Sequence, residues 1–353
     1  MSTLPLDVVN NLKANMKKVR IVDVAAQASV SKSTVSQYLN GRFGHMSPQT
    51  KLKIESAIKD LNYVPNPIAR SLKVEKTKTI GVVVRDIAGF NTSRVMRGID
   101  DYCKKHNYNV MIYNSDFDAE AEKGALLSLQ QMCVDGIIIT SSGQNSELIN
   151  QFIEGGMPIV QFQLDYPDCY SHLVVSDYQQ AAFQATEHLI EMGHRNICFV
   201  AQEFSKSQSR QARYQGYVDA LEKHKIETNS DFVLYWDREQ GFERSPIELL
   251  DMKTAPTAFF TQHLAITAEL LQAFNAANIQ VPEQASVLGF DEIPMVELFK
   301  VPVSVVRQDA YQIGVESAKL SIESIMGKHK EFQRVIVPST LIKRDSVRQI
   351  SDS

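Results

Sequence analysis

From Thr79 onward the chain repeats one pattern: a short run of apolar, often β-branched residues, then a stretch with apolar residues three and four apart. This alternation constrains the fold more than any other feature, because successive βα units bury a parallel sheet under helices. Strands are expected at Thr79–Val84, Asn109–Tyr113, Gly136–Thr140 and Pro158–Phe162. A second series is expected at Leu173–Val175, Ile197–Val200, Phe232–Trp236, Thr257–Thr261 and Ser286–Phe290. Helical periods fall between them, such as Val95, Ile99, Tyr102, Cys103 and His106, or Ala181, Ala185, His188, Leu189 and Met192. The two series predict two doubly wound parallel-sheet lobes with ligands held at the carboxyl ends of their strands.

The first 78 residues do not share this pattern, and they differ in charge. They hold 13 Lys and Arg against 5 Asp and Glu, a net +8, which leaves −12 on the remainder of a chain whose total is −4. A basic front on an acidic body points one end toward a polyanion; a solvated basic arm is the plainer alternative. Here Ile21, Val24, Ala25 and Ala28 are spaced for one helical face. After the connection Ser29-Val30-Ser31, a second helix is expected over Lys32–Asn40, with Ser31 as its cap, Val35, Tyr38 and Leu39 turned inward, and Gly41 as its stop. A third opens at Ser47-Pro48 and packs through Ile54, Ala57, Ile58 and Leu61. Three short helices with a tight first turn make an all-α helix-turn-helix headpiece, whose second helix enters the major groove. Its early outward residues Lys32, Ser33 and Gln37 are candidate base readers, while Thr34 and Ser36 suit phosphate contact or helix packing. A small packing module with a solvated polar face is the competing reading.

The run Ile21-Val22-Asp23-Val24-Ala25, Val30-Ser31-Lys32-Ser33-Thr34-Val35-Ser36, Leu39-Asn40-Gly41, Leu61-Asn62-Tyr63-Val64-Pro65-Asn66 and Ala69-Arg70-Ser71-Leu72 resembles the headpiece and hinge of the LacI/GalR family of bacterial transcriptional regulators. The resemblance implies DNA contacts by Lys32, Ser33, Thr34, Ser36, Gln37, Asn40, Ala69 and Leu72, over a headpiece at 18–64 and a hinge helix and linker at 65–78. Leu72 matches a leucine that wedges between base pairs, which suits an apolar side chain that unstacks a step and bends DNA. Pro65 and Pro67 bracket the start of this segment, and a helix of about seven residues is unstable alone, so DNA and a second copy would order it. Residues 1–17 precede this pattern as an extension with no folded role.

The body resembles the periplasmic-binding-protein-like domain of the same family through Val134-Asp135-Gly136-Ile137-Ile138, Gly193-His194-Arg195-Asn196-Ile197, Arg213-Tyr214-Gln215-Gly216-Tyr217, Pro256-Thr257-Ala258, Ser286-Val287-Leu288-Gly289-Phe290-Asp291 and Leu341-Ile342-Lys343-Arg344. This implies chain crossings near 176, 304 and 339, with one lobe at 79–175 and 305–338 and the other at 176–304 and 339–353. It also implies effector contacts at Phe90, Asn91, Gln163, Arg213, Trp236, His263 and Asp291. Phe90 and Asn91 are expected in the loop after the first strand. Arg213 shares a stripe with Gly216, Tyr217, Ala220 and Leu221, so it faces inward, as a forked donor to a ligand or as a structural ion pair. Asp291 ends a strand, as acceptor from sugar hydroxyls or as a turn cap. Trp236, the one tryptophan, is a cleft wall or a core residue.

Two departures from the family pattern bear on the effector. Gln163-Leu164 stands where many relatives carry Asp-Arg, and His263-Leu264 where they carry Asn-Asp. The lost carboxylates favour an acidic sugar or sugar phosphate over a neutral hexose. The stretch Tyr38–Ser47 also resembles the keto-deoxygluconate regulator branch.

No GxGxxG, P-loop, GxSxG or HExxH pattern occurs, no catalytic or metal constellation is found, and no cofactor is expected. Four dispersed cysteines fit reduced thiols in the cytoplasm, and no run of ~20 apolar residues spans a membrane. The expected protein is a cytoplasmic homodimeric repressor whose paired headpieces read a near-palindromic site on double-stranded operator DNA, under control of a small carbohydrate-type effector. Three alternatives are control by a protein partner, an exported sugar-binding protein, and an α/β enzyme carrying a DNA-binding head.

Overall fold

The computed structural model describes residues 19–39, 41–63, 76–205 and 207–350. The chain divides into two compact units, Met1–Glu75 and Lys76–Ser353.

In the first unit, α1 (Ile21–Gln27), α2 (Lys32–Leu39) and α3 (Pro48–Asp60) enclose Val24, Ala25, Ala28, Val35, Ile54 and Ala57. The turn between α1 and α2 is tight because Ser29 takes a left-handed conformation (φ 53°) and Val30 N–H donates to Ala25 O at 3.0 Å. Val30 thereby packs against the small core. Ser31 Oγ accepts from Thr34 N–H at 3.1 Å and Ser47 Oγ from Thr50 N–H at 3.2 Å, so each of the two later helices starts on a serine cap.

The second unit contains two sheets. The first has the order β12-β5-β4-β3-β1-β2, where β1 is Thr79–Val84, β2 Asn109–Asn114, β3 Gly136–Ile139, β4 Ile159–Phe162, β5 His172–Ser176 and β12 Arg334–Val337, all parallel. The second has the order β13-β11-β10-β9-β6-β7-β8, with β6 Ile197–Ala201, β7 Val233–Asp237, β8 Gly241–Phe242, β9 Ala258–Thr261, β10 Ser286–Phe290, β11 Ser304–Gln308 and β13 Ser339–Ile342. Its edge strands β8 and β13 run antiparallel to their neighbours. With the edge strands β8, β12 and β13 set aside, the order is the same in both sheets: the second strand lies outside the first, and the next three follow on the other side. Each sheet therefore has its topological switch point beside its first strand, β1 in one and β6 in the other.

Two sequence expectations need correction. Leu173–Val175 was expected to start the second series, yet β5 pairs in parallel with β4 and with β12 inside the first sheet. The second crossing was expected near 304, yet β11 pairs with β10, so the chain leaves the second lobe only after Gln308. Burial alone cannot tell which sheet an apolar run joins, because strands of either sheet are covered on both faces. The three crossings lie at 176–178, 308–310 and 337–339 and are stitched together: Ser176 Oγ donates to Gln308 Oε1 at 2.7 Å, and Ser339 N–H to Asp177 Oδ1 at 2.8 Å.

Each lobe packs a pair of helices at very short range across glycine. In the first, α4 (Phe90–Lys105) meets α11 (Ala310–Ile325), and a Cβ on Gly314 would lie 2.0 Å from Val95 O. In the second, α7 (Tyr178–Glu191) meets α8 (Gln208–Lys223), and a Cβ on Gly216 would lie 2.1 Å from Gln179 O. Where the chain enters the body, Asp135 accepts from Thr77 N–H and Lys78 N–H at 2.6 and 2.9 Å, and Lys76 Nζ donates to Ile325 O at 2.8 Å. Among the described residues, no helix is long and apolar enough to cross a membrane.

Candidate effector cleft and DNA-reading helix

On α2 the side chains of Lys32, Ser33 and Gln37 are exposed, and those of Thr34 and Ser36 are half-buried. The cap also engages two of these residues: Ser31 Oγ lies 2.7 Å from Ser33 Oγ and 2.8 Å from Thr34 Oγ1. Thr34 thus serves the helix start. Lys32 is the first residue of its helix, where a cation opposes the helix dipole, so it costs helix stability and leaves a charge facing outward. Asn40, Ala69 and Leu72 lie outside the described residues, as does the hinge segment 64–75.

The body has a cleft of about 430 Å³ between the carboxyl ends of the two sets of strands, within the ~300–1,000 Å³ range of small-molecule sites. Phe90, Asn91, Gln163, Arg213, His263 and Asp291 all line it. Phe90 and Asn91 reach it from the first turn of α4, with Gly89 as the N-cap, not from a loop. The connection after β1 is confined to residues 85–89.

Arg213 is 7% exposed. Gly216, one turn further along α8, lets that helix approach α7 closely enough for the guanidinium to lie 3.9 Å from the Tyr178 ring centre and 4.6 Å from that of Phe290. Its Nη1 donates to Ser209 O at 3.4 Å, and among the described residues its Nε has no partner. Asp291, left-handed at φ 80°, accepts from Gln308 Nε2, from Leu264 N–H and from Asn91. Burial raises its carboxyl above the ordinary value, while Arg213 and these donors pull the other way. Gln308 thus joins Asp291 in the cleft to Ser176 at the crossings. Gln163 is also left-handed (φ 65°), and its carbonyl accepts from Tyr178 Oη at 2.8 Å.

His263 caps α10 (Leu264–Ala276), its Nδ1 accepting from Ile266 N–H at 3.5 Å. That leaves Nε2–H to donate to Gln202 Oε1 at 3.2 Å. Burial, followed by Arg213, Arg210, Arg238 and Arg85, pushes its imidazole down to about 3, so it is neutral. Trp236 does not line this cleft. It is packed in the second-lobe core, with Nε1 donating to Glu269 Oε2 at 2.6 Å, and it faces a neighbouring chamber.

Sequence reasoning missed three arginines that turn toward the same cleft: Arg85 after β1, Arg210 on α8 and Arg238 after β7. Arg85 and Arg238 lie on the Phe117 ring, at 4.7 and 3.9 Å from its centre. Burial lowers the pKa of Arg85, and burial together with Arg85 brings Arg210 to about 10. Two signals were available: Arg85 and Arg238 each follow a strand, and Arg210 precedes Arg213 by one helical turn. Among the described residues, no cluster of three or more His, Cys, Asp and Glu could hold a metal.

A helix-turn-helix unit joined to a two-lobed body with a polar interlobe cleft defines a ligand-responsive DNA-binding protein. Residues 20–66 match the model for bacterial regulatory proteins of the lacI family, and residues 186–347 match that for a periplasmic binding protein-like domain. Over 338 residues the chain is 32% identical to the probable HTH-type transcriptional regulator EndR of Paenibacillus polymyxa, covering 93% of this chain and 98% of that one. It is 29% identical to the transcriptional repressor PurR of Aliivibrio salmonicida, over 94% of this chain and 99% of the other. Among solved structures, the transcriptional regulator CelR–cellobiose complex matches at 27% identity and a TM-score of 0.68, over 93% of this chain and 99% of that one. The lac repressor dimer bound to operator shares the fold at a TM-score of 0.79 and 23% identity, over 94% and 100%. The chain belongs to the lacI family of DNA-binding transcriptional regulators.

Proposed function

We propose that this regulator is a cytoplasmic homodimeric repressor whose hold on a near-palindromic operator is set by an acidic small carbohydrate, a sugar acid or sugar phosphate. One observation carries the effector class. Arg85, Arg210, Arg213 and Arg238 converge on a cleft whose lining carboxylates are Asp86 and Asp291, and burial raises the pKa of Asp291. Guanidinium groups brought together without matching carboxylates repel one another, and a ligand anion relieves that repulsion. The basic cluster takes the anion, Arg213 donates to a ligand oxygen, and Asp291, Asn91 and the neutral His263 sort ring hydroxyls. The effector acts by favouring one lobe arrangement, and Gln308 links that choice to the crossing strands.

On DNA, Lys32, Ser33 and Gln37 read base edges; Asn40, Ala69 and Leu72 complete the contact set, with Thr34 and Ser36 nearer the backbone. Lys32→Ala or Gln37→Ala should weaken operator binding by ~1–3 kcal/mol and relax preference at one base pair per half-site. Gel shifts against a library of operator variants measure this, and an equal loss on every sequence would remove these residues as readers. Binding should weaken steeply with salt. For the effector, calorimetry with glucuronate, a hexose phosphate and glucose decides the class. Tight binding of glucose alone refutes the acidic assignment.

A further inference from the structure

Beside the effector cleft lies a second chamber of about 490 Å³. The two share Arg85, Gln202 and Arg210, so they are adjoining compartments on either side of one basic wall. Resting on the acidic-effector reading, we propose that the ligand is an acidic disaccharide: a uronic acid ring in the first cleft, its carboxylate at the shared wall, and a neutral sugar ring in the second chamber.

Three features support this occupant. At the wall, Ser207 is 3% exposed, and among the described residues its hydroxyl has no hydrogen-bond partner although it lines the second chamber. Ser207 is the N-cap of the sixteen-residue helix α8, yet its side chain does not cap that helix. An unpaired buried hydroxyl costs roughly 1–3 kcal/mol, which a ligand acceptor at the positive end of the helix would recover. Among the described residues Arg85 Nε is likewise unpartnered, and burial, then the neighbouring charge of Arg85, lowers the pKa of Arg210. A single anion at this point would be held by both guanidinium groups and the hydroxyl.

Beyond the wall the chemistry changes. The second chamber carries Tyr166, Tyr235 and Trp236, and also Glu203, Asp237 and Glu243. Aromatic faces suit the apolar C–H face of a sugar ring, and carboxylates accept from its hydroxyls. The same three carboxylates repel a second acid group, so the second ring is neutral.

Calorimetry on the full chain tests this with four probes: glucuronic acid, glucuronosyl-xylose, digalacturonic acid and cellobiose. Glucuronosyl-xylose should bind at least about tenfold more tightly than glucuronic acid and than digalacturonic acid. Tyr235→Ala should remove that advantage while leaving glucuronic acid affinity unchanged, and Ser207→Ala should weaken both by about tenfold. Unchanged operator affinity without ligand shows that each variant folds. Equal affinity for glucuronic acid and glucuronosyl-xylose overturns the second subsite while the acidic reading stands. Tighter binding of digalacturonic acid overturns the neutral second ring. Binding of cellobiose alone overturns both readings, and no binding of any probe by protein that still holds its operator overturns this proposal.

Discussion

Gly216→Ala tests the helix contact that sets the position of Arg213. The added Cβ would fall 2.1 Å from Gln179 O, 2.8 Å from Phe183 N and 3.0 Å from Ala182 Cβ. Carbonyl and amide atoms of a helix cannot turn aside as a long side chain can, so α8 must move off α7 by roughly 1 Å to restore a normal contact. Overpacking of this kind costs about 1–3 kcal/mol, and backbone clashes belong at the upper end. Alanine returns up to ~1 kcal/mol of helix propensity, so the net expected loss is about 2 kcal/mol. Gly124→Ala is the matched control. It lies in α5 (Ala119–Gln131), and its Cβ meets nothing within 4 Å, so only the propensity gain of up to ~1 kcal/mol remains. Urea unfolding of both variants should move the midpoint in opposite directions. Because Arg213 sits one turn from Gly216, Gly216→Ala should also weaken effector binding, which Gly124→Ala leaves unchanged. Equal stability of the two variants would refute the claim that this helix pair depends on the missing side chain.

Ser47→Ala removes the cap of α3 and should lower the headpiece's local stability by about 1 kcal/mol, read as faster amide exchange at Thr50; unchanged exchange would mean that Pro48 alone fixes the helix start. His263 is protonated near pH 3 when folded and near 6.5 when unfolded, so its contribution to stability is complete above pH 6.5 and is lost as pH falls toward 3. At ~1.4 kcal/mol per pH unit below 6.5, going from pH 7 to pH 5 should cost about 2 kcal/mol on its account. His263→Gln, which keeps an acceptor for the helix start and a donor for Gln202, should abolish that share of the pH dependence in urea unfolding; an unchanged dependence would show that His263 is not held neutral.

The sequence by itself determined the local structure. Serine before a helix, proline at its first position and apolar residues at helical or strand spacing are decided by short-range sterics and hydrogen bonding, so α1 to α3 and most strands could be read directly. Arg213 and Asp291 could be read too, because an arginine on an apolar stripe and an aspartate ending an apolar strand are anomalous where they stand. Only the tertiary structure decided which sheet each strand joins. β5 and β11 are apolar runs like their neighbours, and their placement follows from pairings with residues far along the chain. The same holds for charge. Arg85, Arg210 and Arg238 are marked in sequence only by their places after a strand or one turn before Arg213, and Trp236 reads equally as a cleft wall or a core residue. Folding brings the first three to the mouths of both sheets and turns the tryptophan mainly into the core, because side chains from distant strand ends meet only once both lobes are built.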